Sequence, residues 1–208
     1  MARASGGMAL LLSLVACMWL IEIINWLDSN RLDRDGIWPR DIARLWGVAT
    51  APFIHESFQH LIANTIPFVF MGVIVALRGA ARLAAVTAIV IALGGLGTWL
   101  IAPGHTVTVG ASGVVFGYAT YLLARGFFTR NALELLTGVV VGALWGGALL
   151  ASLVPHTGVS WQGHLCGGVA GVVAAWLLAR RAGPGRPGAR RGTRRPANAV
   201  GPVPARRV

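Results

Sequence analysis

The sequence contains no lysine, only seven acidic residues and only two cysteines among its 208 residues. The absence of lysine excludes a serine–lysine catalytic pair. The cysteines, Cys17 and Cys166, have no CxxC neighbour, so we expect two small apolar residues and neither a disulfide nor a redox site. Charged residues make up only 12% of the chain and the mean hydropathy is +0.67, which excludes a typical soluble domain.

Six apolar stretches predict an all-α integral membrane protein. Five are near the roughly 20 residues that a helix needs to cross a bilayer, at about 8–27, 57–77, 83–102, 133–153 and 162–179. The sixth, at about 112–126, is shorter. We therefore expect one six-transmembrane-helix bundle over residues 1–181, with a short fourth helix that begins at Ser112. The first stretch is too long for a signal peptide and lacks a small-residue cleavage site, so we expect it to be retained.

The arginines predict which side of the membrane each connection faces. Arginines precede span 1, separate spans 2 and 3 as well as spans 4 and 5, and follow span 6, whereas the connections 102–109 and 154–161 contain none. This alternation obeys the positive-inside rule with both termini cytoplasmic. The 1–2 connection is the exception, since it contains four arginines and four aspartates, and we expect it to pack on the bundle or lie in the membrane interface.

The C-terminal segment 182–208 is rich in glycine, proline and arginine, a composition that predicts a disordered tail. We expect this basic cytoplasmic tail to lie on anionic lipid headgroups, and we do not expect it to bind nucleic acid. Abundant alanine, glycine and arginine without lysine is typical of a high-GC bacterial genome, which indicates a bacterial cell membrane.

Four polar residues on three predicted helices share one depth. Ser112, Asn64, His164 and His60 lie 13, 14, 16 and 18 residues from the arginine that ends their own helix. At 1.5 Å rise per residue they lie about 3–10 Å beneath the outer face of a hydrocarbon core about 30 Å thick. Polar groups at such depth are costly and usually functional. Segment 103–109 must then dip into the protein, which predicts a water-filled pocket that opens outward.

Ser112 has the surroundings of a nucleophile. Gly110 and Gly113 beside it permit a sharp turn and close approach of a substrate chain. A serine at a helix start also lies next to free backbone N–H groups, which stabilise an oxyanion. The alternative explanation of this motif is small-residue packing with a helix N-cap.

His164 is the candidate general base, because a neutral imidazole can take the serine proton and return it to the leaving amine. Gly167 and Gly171 follow at i+3 and i+7 and form a small-residue stripe on its face. We expect this stripe to pack closely against span 4. The alternative is a histidine that only hydrogen-bonds a neighbouring helix.

His60 and Asn64 share a helix face and both carry N–H donors that can stabilise an oxyanion. His55 lies five residues before His60, about 140° away on a helical projection, and is expected at the surface as a loop anchor. The alternative for all three is polar contact between helices.

Other hydrolytic mechanisms are excluded by spacing. His55 and His60 are five residues apart, not the four of a zinc-protease helix. The acidic residues within the predicted spans are Glu22 on span 1 and Glu134 on span 5, each alone on its span. The pair of intramembrane aspartates that an aspartyl protease needs is therefore absent. With no acid placed to orient His164, a serine–histidine dyad is expected, without metal or cofactor. A histidine base also predicts activity that falls as the pH drops through about 6–7.

Together these motifs resemble the rhomboid family of intramembrane serine proteases. The resemblance covers about residues 40–181, and its pattern is His55-x4-His60-x3-Asn64, Gly110-x-Ser112-Gly113 and His164-x2-Gly167-x3-Gly171. It implies Ser112 as nucleophile, His164 as base, and an oxyanion site formed by His60, Asn64 and the Ser112 N–H. It also implies substrates that are transmembrane helices, unwound near the surface and cut beside a small residue.

Two positions depart from the family pattern. A Trp-Arg pair is frequent in the family's first loop, and here it is Trp46-Gly47. Many members have a tyrosine four residues after the serine, stacked on the base, and here it is Phe116. A phenyl ring can still stack on imidazole, so we expect the stacking to persist.

Two other functions remain open from the sequence. A non-catalytic relative that binds transmembrane helices would be expected to lack Ser112 or His164, and both are present. A small-solute or ion channel needs polar residues through to the inner face, yet span 4 below Tyr121 and span 6 below His164 are apolar. For a protease we expect transmembrane substrates and the lipid bilayer as partners, with span 5 or the 3–4 loop as the mobile element.

Overall fold

The computed structural model describes residues 2–155 and 158–180, and these form a bundle of six long helices. We number them α1 Ala2–Leu27, α2 Phe58–Ala76, α3 Ala80–Ile101, α4 Ser112–Thr129, α5 Ala132–Ala151 and α6 Trp161–Arg180. All but α4 are long and apolar enough to cross a membrane, so the predicted all-α membrane fold is confirmed. The tail predicted at 182–208 lies outside the described residues.

Local sequence accounts for two of the helix starts. The Ser57 hydroxyl accepts a hydrogen bond from the His60 N–H at 3.2 Å, and the Asn131 side chain accepts one from the Glu134 N–H at 3.1 Å. Such caps satisfy N–H groups that have no partner within the helix. Within α3, Val90–Gly94 forms one wider π-helical turn.

The fourth helix begins at Ser112 as predicted but is longer than predicted. It ends at Thr129 rather than near residue 126, so its 18 residues extend about 27 Å. Arg125 does not mark the inner membrane boundary, because its side chain is buried and ion-paired. A paired arginine has no need to leave the helix bundle, and the helix continues past it.

The helix α4 lies in the middle of the bundle, against α2, α3, α5 and α6. Its contact with α6 is made through glycines, as predicted. A Cβ added at Gly167 would collide with the Gly113 carbonyl, and one added at Gly171 would collide with the Gly117 carbonyl. Only glycine, which has no Cβ, allows these two backbones to approach so closely. This close approach brings the N-terminal turns of α4 and α6 together.

The 1–2 connection packs on the bundle, which was one of its two predicted positions. Ile37 and Thr108 exchange two backbone hydrogen bonds of 2.9 and 3.1 Å, and the Arg40 guanidinium donates to the carbonyls of Leu100 and Ala102. A Cβ at Gly47 would collide with the Gly36 carbonyl, so the arginine common in the resembling family does not fit here. The two hydrogen bonds of Arg40 anchor the loop in place of that arginine.

At the end of the bundle away from Ser112, one carboxylate joins three helices. Glu134, in the first turn of α5, lies 2.7 Å from the Arg78 guanidinium beyond the end of α2 and 3.1 Å from that of Arg125 on α4. The Thr129 hydroxyl donates to the same carboxylate at 2.6 Å. We call Glu134, Arg78 and Arg125 the clasp. It attaches the N-terminal end of α5 to the rest of the bundle.

Candidate active site

Ser112 and His164 meet at the close contact between α4 and α6. Nε2 of His164 lies 2.9 Å from Oγ of Ser112, a hydrogen-bond distance. Ser112 is the first residue of α4, and the turn before it depends on Gly110, which has a φ of +109°. The structure thus brings together, at one level of the bundle, the two residues that were predicted to share one depth.

The His164 ring is held on two sides. The Phe116 ring stacks on it with 4.5 Å between centroids and 6° between planes, so the expected stacking is confirmed. Its Nδ1 lies 2.9 Å from the backbone carbonyl oxygen of Ser152, at the C-terminal end of α5. Sequence reasoning missed this partner, because a backbone carbonyl is common to every residue and leaves no signal in the side-chain pattern.

His60 and Asn64 lie over the turn that precedes the serine. A Cβ built on Gly110 would lie 2.7 Å from the His60 ring and 3.6 Å from Nδ2 of Asn64. Nδ2 of Asn64 also donates to the His60 carbonyl at 3.1 Å. Both side chains therefore lie beside the loop that leads into Ser112, on the helix face that was predicted for them.

All four polar residues line one cavity of about 1030 Å³. Its walls come from α2, α4, α5, α6 and the 3–4 connection, including Pro103 and 106–109. This segment was predicted to dip into the protein and line a pocket. It lines the pocket, but its residues 103–105 are exposed and 106–109 are only half-buried. Water and an extended peptide segment both fit a cavity of this size, which hydrolysis requires.

His55 is not at the surface, and that prediction was wrong. Its side chain is completely buried, and its Nε2 accepts a hydrogen bond from the Ala111 N–H at 3.3 Å. The helical projection does not apply, because α2 begins only after Ser57 and His55 belongs to the preceding loop. The His55 ring contacts the loop before Ser112 through this hydrogen bond. It also lies edge-on to the His60 ring, with 5.2 Å between the ring centroids.

The free energy of unfolding is expected to fall at acidic pH, because the buried His55 does not take up a proton as readily as the unfolded chain does. Burial, with a smaller contribution from His60, lowers the pKa of His55 from 6.5 to about 4. The unfolded chain takes up this proton below pH 6.5 whereas the folded protein does not, so stabilisation is lost between pH 6.5 and 4, up to the order of 3 kcal/mol. Thermal unfolding in detergent at several pH values measures it.

The control is His55→Gln, which retains a hydrogen-bond acceptor for Ala111 but does not titrate. We expect the difference between wild type and this variant to shrink as the pH falls. A difference that stays constant across this pH range would contradict the buried neutral state of His55.

Gly110→Ala is expected to lower activity at this site by about 100-fold, since a small displacement of reacting groups costs that much. The new methyl group would meet both the left-handed backbone and the His60 ring at 2.7 Å. Gly158→Ala is the matched control, because Gly158 also has a positive φ of 78° but its Cβ would meet none of the described residues within 4 Å. Equal losses in the two variants would show that backbone strain alone is responsible.

Comparison with known proteins gives one consistent result. The family model of the rhomboid domain matches residues 43–181. An uncharacterized protein of Mycobacterium tuberculosis is 46% identical over 180 residues, which cover 83% of this chain and 75% of that protein. A putative rhomboid protein of Acanthamoeba polyphaga mimivirus is 31% identical over 137 residues, 61% of this chain and 71% of that protein.

A putative rhomboid protease of Bacillus subtilis is 26% identical over 182 residues, 82% of this chain and 87% of that protein. The family match covers more than half of this chain, and its apolar helices are those of a bacterial multi-pass membrane protein. The chain belongs to the rhomboid family.

Proposed function

We propose that the protein is an intramembrane serine endopeptidase that cleaves peptide bonds in or near transmembrane segments by a Ser112–His164 dyad. The observation that carries the proposal is the 2.9 Å contact between Oγ of Ser112 and Nε2 of His164, on the wall of a large cavity within apolar helices. A serine and an imidazole at this distance form a nucleophile and its base. Membership of a family that typically consists of proteases supports the same function.

The reaction follows from this geometry. Nε2 of His164 takes the Ser112 proton while Oγ attacks the carbonyl carbon of the scissile bond, and the protonated imidazole then gives that proton to the leaving amine. The negative oxygen of the intermediate is stabilised by N–H groups of His60, Asn64 and the Ser112 backbone. A water molecule, activated by the same imidazole, hydrolyses the acyl-enzyme and restores the serine.

Substrates are expected to be single transmembrane helices that approach from the lipid. The cavity reaches between α2 and α5, where Pro67 and Leu149 line it and the rings of Phe70 and Trp145 lie 6.2 Å apart. Only Gly138 and Val141 of α5 are buried. A helix with so small a buried surface is easily displaced, so α5 is the expected mobile element. Helix-breaking residues near the cavity would favour cleavage, because the scissile bond must be extended to reach Ser112.

Orientation follows from the distribution of arginines. Both termini lie in the cytoplasm and the cavity opens to the extracytoplasmic side, since the connections near Ser112 and His164 lack arginine. The bond that is cut then lies close to the outer surface, and the basic C-terminal tail lies near the anionic lipids of the inner leaflet.

The test is cleavage of a model transmembrane substrate by purified protein in detergent, comparing wild type with Ser112→Ala. We expect product only with wild type, and labelling of wild type alone by a serine-reactive fluorophosphonate. Ser152→Ala is the matched control, because this serine lines the same cavity, its hydroxyl donates to the Ala148 carbonyl, and the substitution keeps the Ser152 backbone carbonyl that contacts His164. Cleavage that persists in Ser112→Ala would disprove the proposed nucleophile.

A further inference from the structure

The catalytic base depends on a helix other than its own. His164 belongs to α6, yet its Nδ1 lies 2.9 Å from the carbonyl oxygen of Ser152, the residue that caps the C-terminal end of α5. The His164 ring therefore lies between Ser112 on one side and α5 on the other. No carboxylate among the described residues takes the position of the Ser152 carbonyl beside His164.

This contact determines where the proton of the neutral ring resides. A carbonyl oxygen only accepts hydrogen bonds, so Nδ1 must carry the hydrogen. Nε2 is then unprotonated and directed at Oγ of Ser112, which is the tautomer that can act as a base. The opposite tautomer would place a hydrogen between Nε2 and the serine and leave Nδ1 facing a carbonyl without a proton.

The same carbonyl also favours the charged form of the ring. The last carbonyls of a helix have no partner within the helix and carry partial negative charge. When His164 receives the serine proton, the positive imidazolium faces this negative helix end. The arrangement performs the role that a buried aspartate performs in a catalytic triad.

The two ends of α5 are attached very differently. At the clasp end, Glu134 is ion-paired and a Cβ at Gly138 would press on the Leu123 backbone at 2.7 Å. At the other end, Cβ atoms built on Gly146 and Gly147 would meet nothing within 4 Å. The clasp end is thus the more firmly attached, and we expect displacement of α5 to begin at the end that carries Ser152.

We propose that the C-terminal end of α5, through the Ser152 carbonyl, is a positioning element for His164, and that the base is competent only while this end is in place. The inference rests on the proposed function. A substrate that displaces α5 on its way in would meet an unoriented base until α5 returns. Cleavage would then require α5 to close behind the bound segment.

Leu153→Pro tests this directly, because proline disfavours the helical conformation of the residue before it and so turns the Ser152 carbonyl away. Val154→Pro is the matched control. Each proline removes one turn hydrogen bond of 3.1 Å, from Leu153 N–H to Leu150 or from Val154 N–H to Ala151. Only the first proline alters the residue that contacts His164. Leu153→Ala controls for the lost side chain.

Two measurements read the result. The rate of Ser112 labelling by a small fluorophosphonate reports on the dyad without requiring a transmembrane substrate. The ¹⁵N NMR signals of histidine-labelled protein report which ring nitrogen of His164 carries the proton, with His164→Gln used to assign them. The NMR measurement is independent of activity.

We expect the Nδ1–H tautomer in wild type, its loss in Leu153→Pro, and labelling slowed about tenfold or more in that variant only. Equal slowing by both prolines, or an unchanged His164 signal in Leu153→Pro, would overturn the proposal. If wild type neither cleaves nor reacts, the proposed function fails. The NMR comparison still decides whether α5 positions His164.

Discussion

His164→Ala is expected to lower the cleavage rate by about three to four orders of magnitude. In the proposed mechanism the imidazole takes the proton from Ser112 and returns it to the leaving amine, and among the described residues no other imidazole lies at hydrogen-bond distance from Oγ. The hydroxyl is a poor nucleophile without that base. Initial rates on a model transmembrane substrate measure the loss, with binding of the uncleaved substrate measured separately.

Two further variants make the interpretation specific. His105→Ala removes an exposed histidine of the 3–4 connection and should cleave at close to the wild-type rate. The double variant Ser112→Ala/His164→Ala should lose no more than either single variant, because groups that act as one unit are not additive. A further loss in the double variant would mean that the two residues act independently, contrary to the dyad.

Glu134→Leu is expected to cost about 3–5 kcal/mol of stability, since it leaves a buried charge without its counterion. The Arg125 side chain is only 8% exposed and lies 3.1 Å from Glu134. Arg78 can reach solvent more easily because its side chain is 31% exposed. Unfolding in detergent measures the cost, which should appear as a large fall in the midpoint temperature.

The double variant Arg125→Met/Glu134→Leu should recover most of that loss, because an apolar pair of similar volume removes both the charge and its counterion. Arg125→Met alone should be destabilising too, since it deprives the carboxylate of one partner. A double variant as unstable as Glu134→Leu would indicate that the clasp contributes through Arg78 alone.

Much of this site follows from local sequence. The apolar stretches specify the spans because a bilayer accepts only helices with about 20 apolar residues. The glycines at i+3 and i+7 from His164 specify the close contact with α4, because only small residues allow two backbones to approach. Since Gly113 follows Ser112 directly and Gly167 lies one turn after His164, the Gly113–Gly167 contact also brings Ser112 to His164.

The nature of the stacking ring could also be predicted. The resemblance to the family implied this stacking, and the position of Phe116 four residues after Ser112 on the same helix face agrees with it. The length of α4 could not be predicted in the same way. An arginine alone indicates a membrane boundary, whereas an arginine paired with a glutamate on a neighbouring helix does not, and the pairing is not visible along the chain.

The sequence by itself thus determined the six helices and indicated Ser112 and His164 as the proposed nucleophile and base, because each depends on apolar length or on residue types within one or two helical turns. Only the tertiary structure decided the burial of His55, the clasp at Glu134 and the Ser152 carbonyl on His164. These depend on how a loop folds back and on which helix ends meet. Such contacts join residues distant in the chain, and one of them is made by a backbone group that every residue shares.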